Sequence, residues 1–390
     1  MKILWHGVAP FATSGYGVAT ANILPRLKQL GHEVVCFSVY GLHGTRIQWP
    51  NPEHPEWEPV EIWPIQGSQW GSDCIRDYVE EFQADCVITL FDQWAMPSFQ
   101  QLGSIWLPYT VCHYQPMERP LYDAVKDTWR QLCLCEWAKG VMEAEGLHPT
   151  VVPLGVDTKV YKPLIGEMST DGHLIDKDWC RSYAKWAGMP KDRFIFGMVA
   201  ANRDFRKNLE PQLRVFAEFV KAHPDAHLVM HTNPGPEEGG WDLPKLIKFL
   251  GIANNVDITT GKLDLTSWEM SILYNSFDAL LLCSASEGFG IPIVEANACG
   301  IPAITHDFSA MSELTEGWCL KNRPFVTPMY SYGAGVVEEN LYSGLEAAYG
   351  ADLDALRPKC REKALYYDWD RVVERDWKPA LARWQEERPL

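Results

Sequence analysis

Short apolar runs alternate with amphipathic stretches along most of this chain. Over the first 150 residues, Lys2–Val8, Glu33–Tyr40, Asp85–Phe91, Trp106–His113, Gln131–Cys135 and Thr150–Pro153 read as strands. Between them, Ser14–Leu30, Ser72–Phe82, Leu121–Trp129 and Glu136–Glu145 carry a helical period. Gly31 suits the stop of the first of these helices. Gly41–Gln69 is rich in Pro, Trp and Glu and reads as loop, with a short strand at Val60–Ile65. The alternation resumes with strands at Phe194–Ala201, Ala226–His231, Val256–Thr259, Asp278–Cys283 and Pro302–Thr305. Helical patterns follow at Asn208–Ala222, Asp242–Leu250, Ser267–Ser276, Ile291–Ala298, Val336–Tyr349 and Asp352–Tyr367, while Lys321–Gly335 is irregular and aromatic. Strands in alternation with helices predict parallel sheets covered on both faces. Pro153–Pro163, with two prolines and a glycine, is the candidate linker between two such halves, divided near residues 155 and 156.

Composition narrows the class. With 390 residues, 46% hydrophobic and 22% charged, the chain is neither disordered nor collagen-like nor a multi-span membrane protein. Its net charge of −16 speaks against a nucleic-acid binder. Residues 1–150 hold nine Lys and Arg against seventeen Asp and Glu, which speaks against an electrostatic membrane anchor. Eleven cysteines without a CxxC pair, several within apolar runs, are expected to be reduced core thiols, which suits the cytoplasm. The first residues show no secretory apolar region, and the seventeen tryptophans are read mainly as core.

Three loops at the carboxyl ends of strands carry candidate chemistry, the place where doubly wound sheets bind ligands. Ala200–Asn208 (AANRDFRKN) gathers Arg203, Arg206 and Lys207 at a helix N-terminus. Cations there oppose the helix dipole and make sense if an anion binds. Ser284–Ala296 (SASEGFGIPIVEA) combines Gly288 and Gly290, which admit a ligand close to backbone, with Pro292 at a helix start. Its carboxylates Glu287 and Glu295 would be repelled by a diphosphate and are expected to face neutral hydroxyls. Ala9–Val18 (APFATSGYGV) places Gly15 and Gly17 at a third helix start, without the spacing of GxGxxG.

Taken together, Pro190–Leu314 resembles the donor domain of retaining GT-B glycosyltransferases of family 4. Glu287 and Glu295 resemble that family's E-x7-E motif, and Arg203 and Lys207 its diphosphate-holding pair. The Gly15/Gly17 loop, the linker and the terminal Trp369–Trp384 helix are similar too. The resemblance implies a GT-B fold, with two Rossmann-like doubly wound domains facing a central cleft. Residues 1–155 would form the acceptor domain, completed by a helix at about 369–390, and 156–368 the nucleotide-sugar donor domain. Arg203 and Lys207 would neutralise the leaving diphosphate, and Glu295 would bind the ribose. Glu287 would contact the transferred sugar, beside Gly288, Ile291 and the amides of Phe289 and Gly290. His113 would lie near the sugar, with Gly15 and Gly17 along the donor phosphates and acceptor.

The implied reaction moves a hexose-type sugar from a nucleotide-diphosphate sugar, with UDP or GDP as base carrier, to a glycan, lipid-linked sugar, protein or small-molecule acceptor. No permanently bound cofactor and no metal are expected; Asp352-Leu-Asp354 and Asp368-Trp-Asp370 match a DxD motif only by letters. Alternatives on the same fold are a nucleotide-sugar epimerase, a glycan phosphorylase, or a nucleotide-sugar-binding protein without catalysis. A dehydrogenase would need a GxGxxG fingerprint that the chain lacks.

Overall fold

The computed structural model describes residues 1–170, 172–184, 188–203, 205–236, 239–259 and 264–388. The chain divides into two units: 1–155 with 328–331 and 369–390, and 156–327 with 332–368.

In the first unit, parallel strands β1 (Lys2–Val8), β2 (Glu33–His43), β4 (Val60–Ile65), β5 (Cys86–Leu90), β6 (Trp106–Thr110), β7 (Leu132–Cys133) and β8 (Thr150–Val151) form one sheet. The short β3 (Ile47–Trp49) pairs antiparallel at its edge, and the order is β3-β4-β2-β1-β5-β6-β7-β8. Central β1 is buried from Ile3 onward, which is why KILWHGV is nearly continuous in apolar residues rather than alternating. Trp5 ties three elements together. Its Nε1–H donates to Thr20 Oγ1 at 3.2 Å, and its ring lies 6.4 Å from Tyr109 and 5.9 Å from Trp377. The C-terminal segment Trp369–Glu387 thus supplies part of this unit's core, and Asp370 pairs with Arg26 at 2.8 Å.

The second unit holds β9 (Phe194–Val199), β10 (Ala226–His231), β11 (Val256–Ile258), β12 (Ala279–Leu282), β13 (Ala303–His306) and β14 (Gly317–Leu320), all parallel, in the order β11-β10-β9-β12-β13-β14. The order reverses between β9 and β12. That is the switch point at which a doubly wound sheet opens a crevice.

Several elements differ from the sequence pattern. The strand at Trp106 ends at Thr110, not His113, because two-residue β7 offers partners only to Tyr109 and Thr110. Helix Ile75–Phe82 starts three residues later than expected, and Arg119–Val125 replaces Leu121–Trp129. Lys321–Gly335 is not irregular: β15 (Arg323–Val326) and β16 (Tyr332–Gly335) form an antiparallel hairpin. Gly335 is required there, since a Cβ would meet Arg323 O at 2.9 Å. Lys177–Tyr183 forms an unanticipated helix, held by Lys177 and Arg181 on Asp278 at 3.0 and 2.7 Å. None of the eleven cysteines is in a disulfide, and only Cys319 is exposed.

His6, fully buried on β1, lies 5.0 Å from the Phe37 ring and 4.6 Å from Phe99, and its Nε2–H donates to Trp70 O at 3.0 Å. Burial lowers its pKa from 6.5 to about 4, partly opposed by that hydrogen bond. The unfolded chain therefore takes up a proton between pH 6.5 and 4 that the fold refuses. The stabilisation is complete above pH 6.5 and is lost as pH falls toward 4, by about 3 kcal/mol. Urea unfolding at pH 7 and pH 4.5 should show a smaller loss in His6→Gln than in the wild type; equal losses would count against this account.

Candidate functional site

The two loops that leave the switch point of the second unit are bound to one another. Strands β9 and β12 are parallel neighbours, with Ala279 beside Phe196 and Leu280 beside Gly197, so the segments that begin at residues 200 and 283 emerge at the same end. Ala285 N–H donates to Arg206 O at 2.6 Å. Gln212, on helix Leu209–Ala222, donates to Lys207 O at 2.8 Å and accepts from Cys283 N–H at 2.9 Å. Asn208 takes the left-handed conformation at this helix's start, and its Nδ2–H2 donates to Cys283 O and Ala334 O. Ala334 N–H donates in turn to Ala285 O, so the β15–β16 hairpin is joined to both loops.

Glu287 is the centre of the arrangement. Its buried carboxylate accepts from Lys207 Nζ at 2.5 Å and Ser284 Oγ at 2.6 Å through Oε1, and from Arg206 Nη1 at 3.2 Å through Oε2. Burial by itself would raise its pKa. The charges of Lys207 and Arg206, with the hydrogen bonds from Lys207 and Ser284, prevail and hold it at about 2. Its backbone N–H donates to Ser309 Oγ at 3.0 Å. His306, at the end of β13, fixes the loop through Nδ1–H on Ser284 O at 2.9 Å and is kept neutral by burial, with a pKa lowered to about 4.

The remaining donor-loop residues fall around this centre. Gly290 adopts φ +109°, open to glycine with little strain, and precedes helix Ile291–Ala298 with Pro292 in its first turn. Gly288, Phe289 and Gly290 are buried, and Ile291 is half-buried. Glu295 is buried on that helix and accepts from Tyr274 Oη at 2.7 Å. Arg203 is exposed on the basic loop, while its neighbour Asp204 lies outside the described residues. In the first unit, Gly15 opens helix Gly15–Gln29, and Gly17 N–H donates to the capping Ser14 Oγ at 3.0 Å. A Cβ at Gly17 would stand 2.1 Å from Ala12 O. His113 lies three residues beyond β6, half-buried, on a different loop from Gly15 and Gly17. The structure thus gathers Lys207, Arg206 and the Glu287–Glu295 segment in one unit, and places Gly15, Gly17 and His113 in the other.

The carboxylate of Glu287 is engaged by two cations of its own unit, a pairing that the sequence pattern does not show. Arg206 joins Lys207 at that carboxylate. Sequence reasoning also missed Ser284, His306, Ser309 and Tyr274, which are small or ordinary polar residues whose roles depend on contacts across strands. The DxD look-alikes have structural roles: Asp352 caps helix Leu353–Tyr366, Asp368 accepts from Thr158 Oγ1, and Asp370 pairs with Arg26. Among the described residues, no group of three or more His, Cys, Asp or Glu side chains is placed to hold a metal ion. No helix among them is long and apolar enough to cross a membrane.

Comparison with known proteins gives the fold its class. Residues 184–318 match the family described as Glycosyl transferases group 1. A stretch of 188 residues is 30% identical to MMP alpha-(1->4)-mannosyltransferase of Mycolicibacterium hassiacum, covering 47% of this chain and 36% of that protein. The chain spans about a third of the length of the curated relatives it matches. Sucrose-phosphate synthase from Thermosynechococcus elongatus superimposes with a TM-score of 0.77 at 14% identity, over 99% of this chain and 100% of that one. Anabaena HepE in complex with UDP and glucose gives 0.72 at 15%, over 98% and 100%. The architecture is that of the GT-B glycosyltransferases.

Ser309 generates a prediction. It sits at φ +53°, ψ −153°, a region occupied almost only by glycine and costing a serine about 1–3 kcal/mol. Ser309→Gly loses the hydrogen bond to Glu287 but relieves the strain, whereas Ser309→Ala loses the bond and keeps the strain. The alanine variant should therefore be the less stable of the two by about 1 kcal/mol or more in denaturant unfolding. A glycine variant no more stable than the alanine one would contradict this.

Proposed function

We propose that this protein is a retaining glycosyltransferase of the family 4 type, moving a hexose-type sugar from a nucleotide-diphosphate sugar to an acceptor. The observation that carries the reading is the cationic loop of Lys207 and Arg206, bound to Glu287 at the switch point and beside the start of helix Ile291–Ala298. The match of residues 184–318 to the group 1 transferases supports it. The mannosyltransferase relative supports a hexose-type sugar, and the UDP and glucose bound by the Anabaena protein support a UDP- or GDP-linked donor.

In this reading Lys207 and Arg203, with Arg206 beside them, take the donor diphosphate. Glu287 and Glu295 accept hydrogen bonds from hydroxyls of the transferred sugar and the ribose. Gly288, Phe289, Gly290 and Ile291 offer backbone close to the phosphates. As the bond from sugar to diphosphate breaks, negative charge grows on the leaving phosphate, where positioned cations and a helix N-terminus stabilise it. The leaving phosphate accepts the acceptor's proton, so no separate protein base is required. Glu287 also holds Lys207 charged and in place, so that the loop meets the diphosphate already organised. Gly15, Gly17 and His113 are assigned to the sugar and acceptor side, in the domain of residues 1–155 completed by 369–390. The reaction is read as metal-independent and cytoplasmic.

Thermal unfolding with UDP, GDP and ADP, with and without EDTA, tests the donor assignment. One base should stabilise the protein by about 2.7 kcal/mol at 100 times its dissociation constant. The effect should be insensitive to EDTA and lost in Arg203→Ala/Lys207→Ala. No stabilisation by any nucleotide would defeat the assignment. Glu287→Gln should keep nucleotide stabilisation while transfer falls by about 100-fold or more; unchanged turnover would remove Glu287 from the reaction.

A further inference from the structure

The first unit presents a different chemistry at the carboxyl ends of its strands. Four adjacent strands, β4, β2, β1 and β5, carry or lead into aromatic residues at that end. Tyr40 stands on β2 beside Val8, and Ala9 N–H donates to its carbonyl at 2.9 Å. The Phe11 ring covers Gly41, where a Cβ would lie 3.4 Å from Phe11 Cε2. Trp70 follows β4 and lies 5.1 Å from Phe91, just after β5; Tyr16 lies 5.8 Å from the same ring. Trp94 lies on the short 3-10 turn Gln93–Ala95 after β5, and it is exposed at 50%, as are Phe11 at 43% and Tyr40 at 65%.

Acidic side chains outnumber basic ones at this end. The segments after β1, β4, β5 and β6, residues 9–14, 66–74, 91–96 and 111–118, contain no lysine or arginine. They contain Asp73, Asp92 and Glu118. Arg46, after β2, is committed elsewhere: it binds both oxygens of Glu81 at 2.6 Å and stacks 3.7 Å over Trp63. Glu118 begins helix Arg119–Val125, and burial, helped by the nearby charge of Asp92, raises its pKa to about 7. A phosphorylated ligand would find no lysine or arginine in these segments and would be repelled by their carboxylates. Carboxylates instead accept hydrogen bonds from hydroxyls, and exposed rings offer apolar faces to the C–H faces of sugars.

We infer that the acceptor is a neutral polyhydroxylated molecule, a sugar, polyol or glycan end, bound by the aromatic and carboxylate groups at the carboxyl ends of the first sheet, and not a phosphorylated or otherwise anionic one. This rests on the transferase reading above. It narrows the acceptor from charge and ring placement in the first unit alone.

The test uses the full-length protein and the donor whose nucleotide stabilises it. Labelled sugar transfer is measured to matched pairs, glucose and glucose 6-phosphate, myo-inositol and its monophosphate, and to a glycan array of neutral, sulfated and sialylated members. At least one neutral acceptor should exceed its anionic counterpart tenfold or more in kcat/KM. Tyr40→Ala and Trp94→Ala should each raise the KM for that acceptor at least fivefold while the nucleotide-induced shift in unfolding temperature stays the same. Asp92→Asn/Glu118→Gln should narrow the ratio of neutral to phosphorylated acceptor use. Preference for the anionic members overturns the inference. So does transfer to no neutral member while nucleotide stabilisation persists. Absence of nucleotide stabilisation defeats the transferase reading itself, a separate and distinguishable failure.

Discussion

A carboxylate that has left water must be matched by positive charge or give up its own charge, and the buried Glu287 meets that constraint with two cations. Its partners Lys207 and Arg206 come from a loop about eighty residues earlier in the chain. The pairing therefore fixes the relation between two loops that only the sheet brings together. Ser284, Ser309 and His306 then complete the loop's hydrogen bonding. The strained backbone at Ser309 shows how closely this part of the unit is determined, because its hydroxyl bonds the amide of Glu287.

The same ion pair explains how cations can stand at the start of helix Leu209–Ala222, where the dipole disfavours them. Glu287 supplies the negative charge that the helix end lacks. Lys207 is buried against that carboxylate, with its Nζ 2.5 Å from Oε1.

The two units present unlike side chains at the carboxyl ends of their parallel strands. The second concentrates cations and backbone at its switch point. The first offers aromatic rings and carboxylates at its strand ends, with its nearby arginine tied to Glu81 and Trp63. Long-range packing supports the first arrangement: Trp377, from the last segment of the chain, packs on Trp5 and Tyr109 of strands more than 260 residues earlier. That segment belongs to the first core although it comes after the whole second unit in sequence.

Much of the fold was legible in the chain. Buried parallel strands announce themselves as continuous apolar runs, so β1, β5, β9 and β12 could be placed to within a residue or two. Gly290 and Pro292 mark a helix start by their own backbone preferences. Less regular elements were not legible. The β15–β16 hairpin contains Pro324 within β15, Pro328 in its turn and two glycines opposite Phe325 and Arg323, so its alternation is broken. The reach of β6 depended on the length of its neighbour β7. Sequence by itself determined the doubly wound architecture and the glycine–glutamate and basic segments, because local periodicity and backbone preference are properties of short stretches. Only tertiary structure decided that Glu287 is paired with Lys207 and Arg206, and that Ser309 and His306 hold its loop, because a charge buried between two strands is balanced by whatever the sheet brings beside it.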